Sequence, residues 1–281
     1  MIKTRKRTQT KLYHYCSIDS FFHIMNSKSI WLSNSDQMND SNENIWIERY
    51  FDIVNEELND SKYDELKESA FNMYRWNSNP SYIFCLSARK DLLSQWRAYS
   101  NDGSGVSIGF DIKSLKIQKG IPSPNVNEES TLGLAKIEYL TYKQKKKVRD
   151  LCKKIKLDYE KVRERIDEIL INLELGKSLI DWALIFKNSS FQEEKEWRII
   201  HTPTDNYENP LDNLSDLKFR LSQNKIITYF EYNFKSDFDS NLIHEVVIGP
   251  KCKMTSDEIR LFLDKNNLAK TKITYSKSTY R

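Results

Sequence analysis

The sequence predicts an α+β fold, a single domain over residues 1–281 with a mixed β-sheet core, flanking helices and a helical insertion over 142–187. Three observations predict it. Short runs rich in β-branched and aromatic residues recur in the first half and dominate the last third. Residues 142–187 are helical in character. No repeat of solenoid period and no Pro-, Gly- or Ser-rich linker divides the chain. With 281 residues, 39% of them hydrophobic and 12% aromatic, there is enough apolar material for a sizeable core.

In chain order, Leu12 to Cys16 is expected as a first strand, after which Ser17 can cap a helix carrying Phe21, Phe22, Ile24 and Met25. Ser29 to Ser33 returns as a strand and DQMNDSNE as a loop. Ile47, Phe51, Val54 and Leu58 recur at helical spacing, and a second helix is expected over Lys62 to Tyr74, ended by Pro80. Ser81 to Ser87 reads as a buried strand, and Leu92, Trp96 and Tyr99 as one face of a short helix. NDGSG turns into the strand GVSIGFD, and Leu134 to Leu140 is expected as another. In the insertion, Val162, Ile166, Ile169 and Leu173 form an apolar stripe and Gly176 is expected as a break. The strands EWRIIH, KFRLS, KIITYFEYNF, HEVVIGP and TKITYS follow, with a helix from Ser256 to Asn266 between the last two.

Several function classes are disfavoured by what the chain lacks. The four cysteines form no CxxC pair, so neither a zinc ribbon nor a disulfide framework is expected. No run of about eighteen apolar residues and no signal core are present, which predicts a cytoplasmic protein with no membrane partner. GxSxG, HExxH, Walker and GxGxxG motifs are missing. A net charge of +4 is too weak to demand nucleic acid. Eight basic residues between Lys143 and Lys156 concentrate charge locally, either as a solvated helix face or as a nucleic-acid track.

Four groups put polar side chains at strand ends or turns, where a scaffold can aim them. In Tyr13, His14, Tyr15 and Ser17, strand alternation sends His14 to the face opposite the tyrosines; the histidine is either a hydrogen-bonded structural residue or a catalyst. Asn39, Asp40 and Glu43 could offer oxygen ligands to a cation, but helix capping explains them equally and no metal is expected. Ser94, Gln95, Trp96, Arg97 and Tyr99, with the glycines of NDGSG, could hold a ligand or form a tight turn under a tryptophan. In FQEEKEWRII, Glu194 and Glu196 are expected two apart on one strand face, a repulsion needing compensation, and Arg198 could pair with one of them.

LYHYCS, SIWLS with MNDSNE, FCLSARKDLLSQWRAYSNDGSGVSIGFD, FQEEKEWRII, VVIGP and ITYSKSTYR together resemble domain-of-unknown-function family 2971 (DUF2971), over nearly the whole chain. Ser41 stands where the family usually carries proline after Asn-Asp. The resemblance implies a bacterial source and a mobile or defence-related setting, with no agreed reaction. LYHYCS and EEKEW are also similar to ADP-ribosyltransferases, whose first core strand often carries His or Arg before a small hydroxyl residue and whose later strand begins with a catalytic Glu. That resemblance implies NAD as substrate and a nucleic-acid or protein acceptor. It implies that His14 meets a ribose hydroxyl, Tyr99 or another tyrosine stacks on nicotinamide, Glu196 stabilises developing charge, Glu194 deprotonates the acceptor, and Arg198 or Arg220 meets the pyrophosphate. Ser87 is the nearest counterpart of that family's Ser-Thr-Ser strand, and Tyr13, Ser17, Gln95 and Trp96 complete the expected cofactor-binding set. The competing expectations are a non-catalytic ligand- or partner-binding module, and a metal-dependent nuclease using Asp40, Glu43 and a histidine.

Overall fold

A computed structural model describes residues 9–37, 44–77, 80–122, 131–162, 164–203, 211–222 and 224–280. The chain is α+β. Its strands are β1 (Lys11–Cys16), β2 (Ser29–Asn34), β3 (Tyr82–Ser87), β4 (Val106–Asp111), β5 (Leu132–Lys136), β6 (Glu196–His201), β7 (Lys218–Ser222), β8 (Lys225–Asn233), β9 (Ile243–Ile248) and β10 (Lys272–Tyr275). Its α-helices are α1 (Ile18–Ser27), α2 (Phe51–Glu57), α3 (Asp64–Arg75), α4 (Leu93–Tyr99), α5 (Thr141–Tyr159), α6 (Arg165–Ala183) and α7 (Ser256–Lys265). The chain divides into two compact units, one of residues 1–33, 82–135 and 193–281, the other of 34–81 and 136–192.

The first unit is built on a mixed sheet. Among the described residues its order is β10-β9-β4-β1-β3-β2-β8-β7, with β6 pairing β3 and β5. The β9–β10 pair is parallel, whereas β1 with β3 and β4, β3 with β6, β4 with β9, and β8 with β2 and β7 are antiparallel. Alternation along β1 sends Leu12 and Cys16 into the main core with Phe84, Ile108, Phe110 and Val246. Tyr13 and Tyr15 go to the opposite face, against Trp96 and Val247. Helix α1 starts where expected because Ser17 accepts the Ser20 amide at 3.2 Å, and it buries Phe21, Ile24 and Met25 in that core. Burying each of those side chains is worth about 1.5–3 kcal/mol. Strand β5 begins earlier than the Leu134 to Leu140 segment suggests, and Leu140 is already the N-cap of α5.

The second unit is helical and joins the expected insertion to α2 and α3. Two expectations are corrected here. Gly176 does not break a helix but lies buried within α6, where a Cβ would come within 2.5 Å of Met73 Sδ. The break falls instead between α5 and α6. Because α6 approaches α3 through Gly176, its buried face is Ile171, Leu175, Leu179 and Ala183. The predicted stripe is turned outward, leaving Ile166, Ile169 and Leu173 exposed.

On α5, the buried Gln144 takes hydrogen bonds from Trp46 (3.3 Å) and Tyr50 and donates to the carbonyls of Lys187 (3.0 Å) and Glu138. In the basic stretch, Lys143, Lys146, Arg149 and Lys154 pair with Glu138, Asp150, Glu57 and Glu174. That is the behaviour of a solvated, charge-compensated helix face.

Candidate functional site

Strand register assembles a row of side chains on one face of the sheet in the first unit. Tyr13 is level with Gly109 on β4, which is level with Glu245 on β9. In the other direction Tyr13 is level with Ser87 on β3, itself level with Glu196 on β6. Directly opposed residues of neighbouring strands share a face, so Glu245, Gly109, Tyr13, Ser87 and Glu196 form one row across five strands. Cys85 and Arg198 pair in the same way two residues further along, on that face.

The two ends of the row are chemically different. At one end Glu245, 3% exposed, accepts from Tyr13 Oη (3.2 Å), Lys90 Nζ (3.0 Å) and Thr274 Oγ1 (3.0 Å). Burial alone would raise the Glu245 carboxyl, but the Lys90 and Thr274 hydrogen bonds and the Lys90 charge hold it below its usual value. Burial, then the Glu245 charge, pushes the Tyr13 phenol up. Gly109 makes this possible, since a Cβ there would lie 2.9 Å from Tyr13 Cε1. At the other end Glu196 and Arg198 are buried and joined by an ion pair of 2.7 Å from Nε to Oε1. Four strand spacings separate Glu245 from Glu196, roughly 19 Å of sheet, so they are not a carboxylate dyad.

Beside the row, Trp96 is fully buried, edge-on to Tyr15 at 4.8 Å, and donates from Nε1 to Asp91 at 2.7 Å. Tyr15 donates to the Arg89 carbonyl (2.7 Å) and accepts the Leu92 amide (3.0 Å). Asp91 also receives Ser276 Oγ (2.6 Å) and the Lys277 amide (2.7 Å). Burial works against the Asp91 carboxylate, but those bonds from Ser276, Trp96 and Lys277 hold its pKa below the usual value. In the NDGSG turn, Asp102 bonds Tyr280 Oη (2.6 Å) and Lys251 Nζ (2.8 Å), while Lys251 sits 3.9 Å above the Tyr280 ring. Gly105 is demanded by packing, because a Cβ would fall 2.0 Å from the Cys16 carbonyl oxygen. The NDGSG turn therefore grips the chain's own carboxy-terminal segment.

The remaining predicted residues sort as follows. His14 lies on the face opposite Ser87 and Glu196, stacked on Phe84 at 4.1 Å, with Nδ1 2.9 Å from the Cys85 carbonyl. Burial pushes its pKa down to about 4, so the ring is neutral at pH 7 and serves the core, which corrects its expected ribose contact. Glu194 ends a 3₁₀ turn (Ser189–Glu194) rather than sharing a strand with Glu196. Lys195, at φ 47°, turns the backbone between them, so the expected side-by-side pair does not form. The Glu194 carbonyl instead accepts Ser87 Oγ at 2.6 Å. Ser17 caps α1, away from the row. Gln95 and Trp96 are buried and offer no open stacking face, whereas the Tyr99 ring is half-exposed. Arg220 sits on β7, which pairs with β8 and with no strand of the row.

Sequence reasoning missed Glu245, Lys90, Asp91 and Thr274. A signal existed for Glu245, since a carboxylate inside the apolar run HEVVI needs buried partners. Asn39, Asp40 and Glu43 lie outside the described residues, and with them the metal and nuclease expectations. Among the described residues no group of three His, Cys, Asp or Glu is placed to hold a metal ion, and no helix is long and apolar enough to cross a membrane. The described cysteines Cys16, Cys85, Cys152 and Cys252 are all thiols. In the second unit, a cavity of about 270 Å³ is lined by Asp36, Glu48, Tyr74, Arg75, Ile180 and Leu184. Burial, then the Glu48 and Asp36 charges, pushes the Tyr74 phenol up to about 12.

Residues 95–199 match the family model described as a protein of unknown function (DUF2971). The matched span runs from α4 through β4 to β6, and so contains both the QWRAY helix and the Glu196–Arg198 pair. No curated protein and no solved structure matches the chain.

Proposed function

We propose that the chain is an NAD-dependent ADP-ribosyltransferase-like effector acting on nucleic acid or protein in the cytoplasm, within a bacterial anti-phage defence or toxin system. One observation carries the reading. Tyr13, Ser87 and Glu196 occupy one row on the adjacent strands β1, β3 and β6, the three strand positions at which such transferases carry their first-strand, serine and glutamate residues. Tyr13 rather than His14 is then the first-strand contributor.

In this reading the bond from ribose C1′ to the nicotinamide nitrogen breaks, and its electron pair leaves with nicotinamide. An acceptor oxygen or nitrogen forms the new bond to C1′, and its proton passes to the partly exposed Glu194. Glu196, ion-paired with Arg198, stabilises the positive charge that develops on the ribose. The exposed Tyr99 ring supplies a stacking surface for nicotinamide. Arg198 is committed to Glu196, which leaves the pyrophosphate contact to other cations.

A second reading, a non-catalytic ligand- or partner-binding module, is favoured by the near-complete burial of Glu196 and Arg198, at 6% and 4% exposure, because mutual neutralisation also suits a structural pair. Incubating the purified protein with labelled NAD and cell lysate separates the two. The transferase reading expects label in protein or nucleic acid, reduced about 10²- to 10³-fold by Glu196→Gln in a variant that remains folded at the assay temperature. A folded wild-type chain that neither binds NAD nor transfers label overturns it in favour of the binding module.

A further inference from the structure

Away from the row, the first unit carries an aromatic strip that the reading above does not use. Phe22 stacks on Phe262 at 5.5 Å and 10°, and meets the neighbouring His23 at 5.9 Å. His23 lies 6.1 Å from Trp31 at 30°, and Trp31 lies 4.8 Å from Tyr229. Phe22, His23 and Trp31 are exposed, and Phe22 is 48% open to solvent. Large exposed aromatics in a continuous series are uncommon on a surface with no partner.

A cation completes the strip. The Arg220 guanidinium stands 5.9 Å from the Trp31 ring centre and donates from Nη2 to Ser33 Oγ at 3.2 Å. Its Nε is buried and has no acceptor among the described residues, so the strip's interaction with a ligand falls to the rest of the guanidinium. Burial lowers the Arg220 pKa without removing the charge at neutral pH.

We propose that the exposed Phe22, His23 and Trp31, with Arg220 beside them, bind single-stranded nucleic acid. The exposed rings of Phe22, His23 and Trp31 follow one another at 5.9 and 6.1 Å, within reach of successive bases of an extended strand. Every base has a π-face, so such a strip accepts sequence-independent stacking, while the guanidinium meets a backbone phosphate. A duplex hides its base faces and offers this surface only phosphate. The inference stands apart from the transferase reading, because it concerns binding in the absence of NAD.

The test is fluorescence anisotropy of a short labelled oligothymidylate titrated with the full chain at low and moderate salt, with a duplex as competitor. The expected result is tighter binding of the single strand than of the duplex, with quenching of tryptophan emission. Trp31→Ala and, independently, the exposed Phe22→Ala should each weaken binding roughly ten-fold. Arg220→Gln should flatten the salt dependence by about one phosphate contact. Thermal melts of all three variants verify their folding, and Phe22→Ala decides the matter where Trp31→Ala melts early. No binding by the wild type at low salt, equal affinity for duplex, or folded Phe22 and Arg220 variants that bind like wild type would each overturn the proposal. A strip that serves a protein partner gives the first of those outcomes.

Discussion

The two faces of β1 obey different rules although their residues alternate along one strand. On the core side, Leu12, His14 and Cys16 meet Phe84, Ile108 and Phe110, and the one titratable ring there is held neutral. On the other side, Tyr13 and Tyr15 face a polar lattice of Glu245, Lys90, Asp91, Ser87, Glu196 and Arg198, in which each carboxylate accepts hydrogen bonds. A histidine in an apolar surround sheds its proton, whereas a tyrosine can bury its ring and still deliver a hydroxyl to a carboxylate. The hydrogen-bonded carboxylates of this sheet therefore gather on the tyrosine face.

The largest effects should come from breaking the polar face. Glu196→Ala strands the buried Arg198 and should cost about 3–5 kcal/mol of unfolding free energy in a urea titration. Replacing both partners with leucine should recover most of that loss, and a double variant as unstable as the single one would show that the pair is not a closed unit. Trp96→Ala removes a fully buried ring and the Asp91 donor, with a loss again of about 3–5 kcal/mol.

The core face should reveal itself through pH. Burial brings both His14 and His201 down to about 4. Between about pH 6.5 and 4 the unfolded chain takes up protons that these folded imidazoles refuse. Their stabilising contribution is thus fully present above about pH 6.5, shrinks as pH falls, and is gone below about pH 4. The loss is up to about 3 kcal/mol for His201, which is 2% exposed, and less for the partly exposed His14. Urea titrations across this range should show a shallower slope for His201→Phe, and an unchanged slope would contradict the buried neutral ring.

Smaller effects sharpen the contrast further. Gly109→Ala should push Tyr13 away from Glu245 and cost about 1–3 kcal/mol, seen as a lower urea midpoint. Ser17→Ala should cost about 1 kcal/mol of stability and leave NAD binding unchanged, because its hydroxyl caps α1. A loss of NAD binding would return Ser17 to the site.

Much of the fold was legible because it rests on local pattern. β1, α1, β2, β3, α4 and the last five strands lie where alternation, the Ser17 cap and aromatic runs put them. The face turned inward by α6 was not legible, since Gly176 reads as a helix end until Met73 is seen packed on it. The site was legible in part. Arg198 pairs with Glu196 as one reading of FQEEKEWRII allowed, and His14 does face away from the tyrosines. Which of those faces was core, the left-handed turn at Lys195 that separates Glu194 from Glu196, and the Glu245 hub all depend on strand register between distant segments. Spacing along the chain does not encode that register.

The most direct test compares His14→Phe, Tyr13→Phe and Glu196→Gln side by side for transfer of label from NAD, each variant first verified by its melting curve. The account predicts that His14→Phe retains transfer while Tyr13→Phe is impaired and Glu196→Gln loses it. A folded His14→Phe protein that has lost transfer, beside an active Tyr13→Phe, would contradict the assignment of chemistry to the tyrosine face.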